Sequence, residues 1–89
     1  MNLIYKALAD PTRRKILKLL RDKDMSAGEI AEHFNITKPS LSKHFGILRD
    51  ADLIHSDRDG TTIIYHLNVS VLEEALMALM DTFKLKEEK

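Results

Sequence analysis

The stretch Asn35–Ile54, NITKPSLSKHFGILRDADLI, decides the fold. Thr37 is suited to cap a helix, and Pro39 fits its first turn, where no intrahelical donor is required. From there to about Ala51, Leu41, Phe45 and Leu48 fall on one face. The opposite side carries Ser40 and Lys43 but no row of carboxylates. Gly46 also faces outward; it weakens a helix interior by roughly 1 kcal/mol, yet leaves room for a close backbone approach.

Upstream, Leu3, Ile4, Ala7 and Leu8 make a short helical stripe over residues 2–9. Asp10 is a plausible N-cap, followed by Pro11 at the first helical position. The helix it opens, to about Arg21, buries Ile16, Leu17 and Leu20. After a turn at Asp22, Lys23 and Asp24, Ser26 and Glu29 form a capping box. That helix runs to Phe34, packing Ile30, Ala31 and Phe34, and Asn35 and Ile36 make a tight connection to the next.

Downstream, Leu53 to His55 and Thr62 to Leu67 read as strands. The DRDGT turn lies between them, with Gly60 at a left-handed position. Ile63, Tyr65 and Leu67 share one strand face, Ile64 and His66 the other. A last helix, residues 70–84, begins at Asn68 or Ser70 and repeats Leu72, Ala75, Leu76, Leu79, Met80 and Phe83 at helical spacing. The Lys- and Glu-rich end is expected to fray. The fold expected for residues 1–89 is one mainly α domain with a β-hairpin, in the order α-α-α-α-β-β-α: a winged helix-turn-helix.

The chain has 89 residues, of which 44% are apolar, enough for one small folded domain. It has no cysteine, which excludes disulfides, thiolate metal sites and a cysteine nucleophile. No secretory leader is expected, because an acidic and prolyl break follows a very short apolar run at the start. No apolar run is long enough to span a bilayer. These features fit a cytoplasmic protein.

Fourteen basic residues balance fourteen acidic ones, so distribution matters more than the sum. Arg13, Arg14, Lys15, Lys18, Lys38, Lys43, Arg49 and Arg58 can form a local positive surface. A major groove about 12 Å wide admits one helix. With Leu41, Phe45 and Leu48 anchored in the core, Lys38, Pro39, Ser40, Ser42, Lys43 and His44 are the candidates for base edges or nearby phosphates. Arg58, at the hairpin tip, with Thr61 and Thr62, supplies the wing contact. Asp57 and Asp59 would repel phosphate unless they turn inward or pair with Arg58. Arg14 and Lys18 share a helix side and could lie along the DNA backbone or pair with nearby acids. Thr12 and Arg13 could contact phosphate or solvate the cap. The last helix has more apolar surface than so small a core can cover, and a second copy would cover it symmetrically.

The segments DPTRRKILKLL, SAGEIAEHFNITKPSLSKHFGILRDADLI and DRDGTTIIYHL together resemble the ArsR family of bacterial winged-helix repressors, in particular its small autorepressor branch. The likeness runs from about Ala9 through Leu76. Its most specific part is the series Ser40, Ser42, His44 and Leu48, in order after DPTRR. The resemblance implies a homodimer on a two-fold symmetric operator that blocks transcription, with its own gene a target. It places the dimer interface on the first and last helices: Leu3, Ile4, Leu72, Leu76, Leu79, Met80 and Phe83. Family members that sense metal through paired cysteines have them where Ser26 and Gly28 stand here. A second pattern needs carboxylates and histidines on the last helix, which offers Glu73, Glu74 and Asp81 but no histidine.

No metal or other cofactor is therefore expected. His55 and His66 can approach across the strands, with no obvious converging carboxylate; His66 reads as a strand surface residue. A simple constitutive binder is expected, or one controlled by its abundance or by a regulatory protein partner. An enzyme is not indicated, since Ser40, Ser42 and His44 share one helix with no orienting third group. The rival reading is a winged helix used only for protein interaction.

Overall fold

Capping residues set most element boundaries. The computed structural model describes residues 2–85. Its order is α1 (Asn2–Leu8), α2 (Pro11–Asp22), β1 (Met25–Ser26), α3 (Ala27–Ala31), α4 (Lys38–Asp50), β2 (Ile54–Asp59), β3 (Thr62–Leu67) and α5 (Val69–Thr82). This is the expected winged helix-turn-helix with one added strand. The terminal segment expected to fray, residues 86–89, lies outside the described residues.

At the start of α2, the Asp10 carboxylate accepts from the amides of Thr12 (2.7 Å) and Arg13 (3.2 Å). Desolvation pushes that carboxyl up, but the two amides and nearby positive charge together outweigh it and hold its pKa below the usual value. Ser26 and Glu29 make the expected capping box, and Thr37 caps α4 through the Ser40 amide.

The helix boundaries fall within two residues of expectation except at the end of α3. Helix α3 ends at Ala31 rather than Phe34, because the chain tightens: the amides of His33 and Phe34 bond the carbonyls of Ile30 and Ala31. Lys15 then fixes the turn, donating to the His33 carbonyl at 2.9 Å with its ammonium 4.8 Å from the Phe34 ring centre. Helix α4 closes without glycine. Asp52 takes the left-handed conformation (φ 64°), and the amides of Asp52 and Leu53 reach back to Arg49 and Leu48. This Schellman closure drives Leu53 fully into the core.

The sheet is antiparallel with order β1-β3-β2. Its outer strand β1 pairs Met25 and Ser26 with Tyr65 and Ile64, and two residues are too few to show any alternation in sequence. Strand β2 is longer than expected, reaching Asp59. One core joins the elements: Ala7 from α1, Ile16, Leu17 and Leu20 from α2, Ile30 from α3, Leu41, Phe45 and Leu48 from α4, and Ile54 and Tyr65 from the sheet.

Candidate nucleic-acid interface

Helix α4 is held by three anchors, Leu41, Phe45 and Leu48, each at most 4% exposed. Phe45 stacks on Tyr65 of β3, with ring centres 4.5 Å apart and planes 22° from parallel. Burying that face turns Lys38, Pro39, Ser40, Ser42 and Lys43 to solvent. Nothing of the protein lies within 4 Å of where a Gly46 side chain would begin, so internal packing does not require the glycine. His44 sits at the edge of the outward face, half-buried.

The wing meets α4 across a groove of about 350 Å³, lined by Lys38, Leu41, Ser42 and Phe45 of α4, Ile63 and Tyr65 of β3, and Ala27, Gly28 and Ala31 of α3. Strand register assigns the wing side chains to faces. Arg58 pairs with Ile63 and Ser56 with Tyr65, so Arg58 shares the face that looks toward α4. It lies within β2, one residue pair before the turn, not at the tip. The turn itself is Gly60, at φ +66°, and Thr61, between the paired Asp59 and Thr62. The same pleat puts Thr62 on the opposite face with Asp57 and Asp59, separating it from Arg58. Thr61, Thr62 and Arg58 are all exposed. The two acids thus face away from the α4 side.

That far face has its own order. His66 Nδ1 lies 2.8 Å from Asp24, and Nε2 lies 2.7 Å from Asp57. The second approach lacks the alignment of a hydrogen bond, since Nε2 is buried without a directed partner. It is a charge contact. Carboxylates do converge on this histidine, which corrects its reading as a plain strand surface residue. They take opposite edges of one ring, and among the described residues no group of three or more His, Cys, Asp or Glu could hold a metal ion.

Hydrogen bonding to Asp24 is the main cause that raises the His66 pKa; desolvation opposes it, and the Asp24 and Asp57 charges add to the rise. A pKa raised on folding gives stability that is complete below the unfolded value near 6.5 and lost as pH climbs through the folded value. Wild-type protein is therefore expected to gain melting temperature over His66→Gln at pH 6 but not at pH 9. Partial exposure limits the gain to about 1 kcal/mol or less. Paired thermal melts at the two pH values check this.

The basic segment of α2 divides. Arg14 is exposed and donates to the Leu8 carbonyl at 2.8 Å, closing the end of α1, as a cation does well. Lys15 holds the α3–α4 turn. Arg13 is only 8% exposed and turns inward, so neither it nor Lys15 belongs to the free positive surface expected of them. Sequence reasoning missed three structural ties, those of Arg13, Lys15 and Asp24, because each depends on a partner distant in the chain.

The family model described as "Bacterial regulatory protein, arsR family" matches residues 10–56, which span α2 through the first half of β2. The chain belongs to the ArsR family. It is 55% identical over 76 residues to the transcriptional repressor SdpR of Bacillus subtilis, covering 85% of this chain and 84% of that one. It is 34% identical over 79 residues to the arsenical resistance operon repressor of Staphylococcus aureus, covering 89% and 76%. Among solved structures, an ArsR family transcriptional regulator superposes with TM-score 0.85 at 30% identity, covering 99% of this chain and 97% of that one. As an ArsR protein, this chain is a winged helix-turn-helix transcriptional regulator and not an enzyme. No helix among its described residues is long and apolar enough to cross a membrane.

Proposed function

We propose that this protein is a homodimeric repressor that reads an inverted-repeat operator with α4 and silences transcription by covering promoter DNA. The observation that carries the reading is the division of α4. Its inner face is locked in the core, while Lys38, Pro39, Ser40, Ser42 and Lys43 stand exposed. Ser can donate to or accept from base edges, and Lys can reach guanine acceptors or phosphate. Arg58, with Thr61 at the turn, makes the wing contact, where a cation meets phosphate or a narrow minor groove. Thr62, on the other face and paired with Asp59, stands apart from this contact. Arg14 lies along the phosphates only if its guanidinium leaves the Leu8 carbonyl.

The dimer is supported by apolar surface that one copy leaves open. Leu3 of α1, Leu76 and Met80 of α5, and Phe83 just beyond it are 43–65% exposed. Ile4, Leu72 and Leu79 beside them are half-buried. A second copy covers these groups and sets two reading helices one DNA turn apart. The likeness to the autorepressor branch extends the proposal to the protein's own promoter, in the cytoplasm. The proposal extends to control by abundance or by a regulatory protein partner; cysteine chemistry takes no part in it, since the chain has no cysteine.

Lys43→Ala tests the contact face. The variant is expected to fold as wild type, to bind the operator duplex about 5–20-fold more weakly, and to lower the log–log salt slope by about one per lost phosphate contact. Wild-type protein with no affinity for any duplex, and no response to the substitution, would point to a protein-interaction module.

A further inference from the structure

Arg13 joins two parts of the molecule that the proposed function keeps apart. Its Nε donates to the Ala7 carbonyl at 2.9 Å, and one terminal nitrogen donates to the Lys6 carbonyl at 2.8 Å. Both acceptors lie in the last turn of α1, where the regular helical ladder runs out; the Lys6 carbonyl also accepts from the Ala9 amide at 3.3 Å. The other terminal nitrogen lies 3.1 Å from His44 Nδ1 on α4. One buried guanidinium therefore spans α1 and the reading helix.

The chemistry of the contact fixes the state of the histidine. A guanidinium has donors only and keeps its charge. Across 3.1 Å, the arginine must donate, so Nδ1 must be the unprotonated acceptor. The ring proton then sits on Nε2. Protonating Nδ1 would set two cationic donors against each other. No hydrogen-bond partner within the protein is found for the Nε2–H among the described residues, and the ring lies at the border of the exposed α4 face.

We infer that Arg13 is a positioning residue that holds His44 as the Nε2–H tautomer, leaving that donor for an acceptor on DNA, a phosphate oxygen or a base-edge acceptor. The inference rests on α4 being the DNA-reading helix. It assigns Arg13 a task different from phosphate contact, and it gives His44 one defined polar atom for DNA. The same side chain ties the end of α1, a helix proposed for the dimer, to the helix that reads.

Two substitutions at His44 separate the ring nitrogens. Glutamine places an amide N–H near the Nε2 position, whereas asparagine reaches only as far as Nδ1. On the duplex that wild-type protein selects from a random pool, His44→Gln is expected to bind within about threefold of wild type. His44→Asn is expected to lose about tenfold or more, the scale of one lost bond to a charged acceptor. Equal binding by both variants would overturn the inference. NMR of the ring nitrogens in the free protein supplies a readout independent of DNA. Wild type should show Nε2 protonated and Nδ1 bare, and Arg13→Met should show exchange between tautomers. A wild-type ring protonated on Nδ1, or averaging as the variant does, would also overturn it. The histidine variants leave the Arg13 bonds to α1 intact, so the test survives if Arg13→Met fails to fold. Wild-type protein that selects no duplex would sink the DNA-reading assignment and the outward half of this inference, while the NMR result still decides the tautomer.

Discussion

Phe45→Ala is expected to lower stability by about 3–5 kcal/mol, the usual cost of deleting a buried aromatic. The side chain is 4% exposed and stacks at 4.5 Å on Tyr65, itself 5% exposed. Its loss removes the apolar transfer free energy, the ring contact and the surface that holds α4 against the wing. Phe45 shares one buried cluster with Leu41, Leu48 and Ile16, so neighbours already engaged in the core have little freedom to fill the vacancy. A domain of this size has a total stability on the order of 5–10 kcal/mol, so the substitution consumes a large share of it. Urea unfolding followed by circular dichroism would show the midpoint fall. Phe45→Leu, which retains most of the volume, should lose much less. A change under about 1 kcal/mol for Phe45→Ala would mean that α4 is held by something other than the Phe45–Tyr65 stack.

The second large effect concerns the uncovered apolar face. Replacing Leu76 and Met80 together by glutamate puts two charges where each residue now exposes over 40% of its surface. Within a lone chain those positions are open to water, so folding should change by little. In a dimer, the same charges would face their copies in a dry interface, where unpaired carboxylates are strongly unfavourable. The expected result is a folded monomer by sedimentation whose operator affinity falls on the order of 10²–10⁴-fold, the gain normally supplied by linking two reading heads. Unchanged sedimentation and affinity would remove α5 from the interface.

Much of the fold was legible because its signals are local. Thr37, Pro39 and the Leu41, Phe45 and Leu48 spacing lie within one helix, and Ser26 with Glu29 within one turn. The Gly60 turn and the alternation along Thr62–Leu67 needed no knowledge of distant residues. Strand β1 was not legible, since Met25 and Ser26 become a strand only by pairing with Tyr65 and Ile64. The early end of α3 depends in part on Lys15, eighteen residues before the carbonyl it binds.

The site shows the same division. The outward positions of α4 follow from its period alone, whereas the face carrying Arg58 follows from its pairing with Ile63. Two charged residues misled for a physical reason. Arg13 sits in a basic run that reads as surface, yet two helix-end carbonyls and one imidazole satisfy it when buried. His66 reads as a lone strand histidine until Asp24, forty-two residues earlier, is brought to its Nδ1 atom.

In the proposed complex, two copies of α4 read DNA together. Selection of bound sequences from a random duplex pool by the purified protein, with EDTA present, tests it most directly. The expected result is two matching inverted half-sites, spaced about 10 base pairs centre to centre or a multiple of that. Folded protein that enriches no sequence, with EDTA or with added zinc, or that enriches only a single half-site, would contradict it.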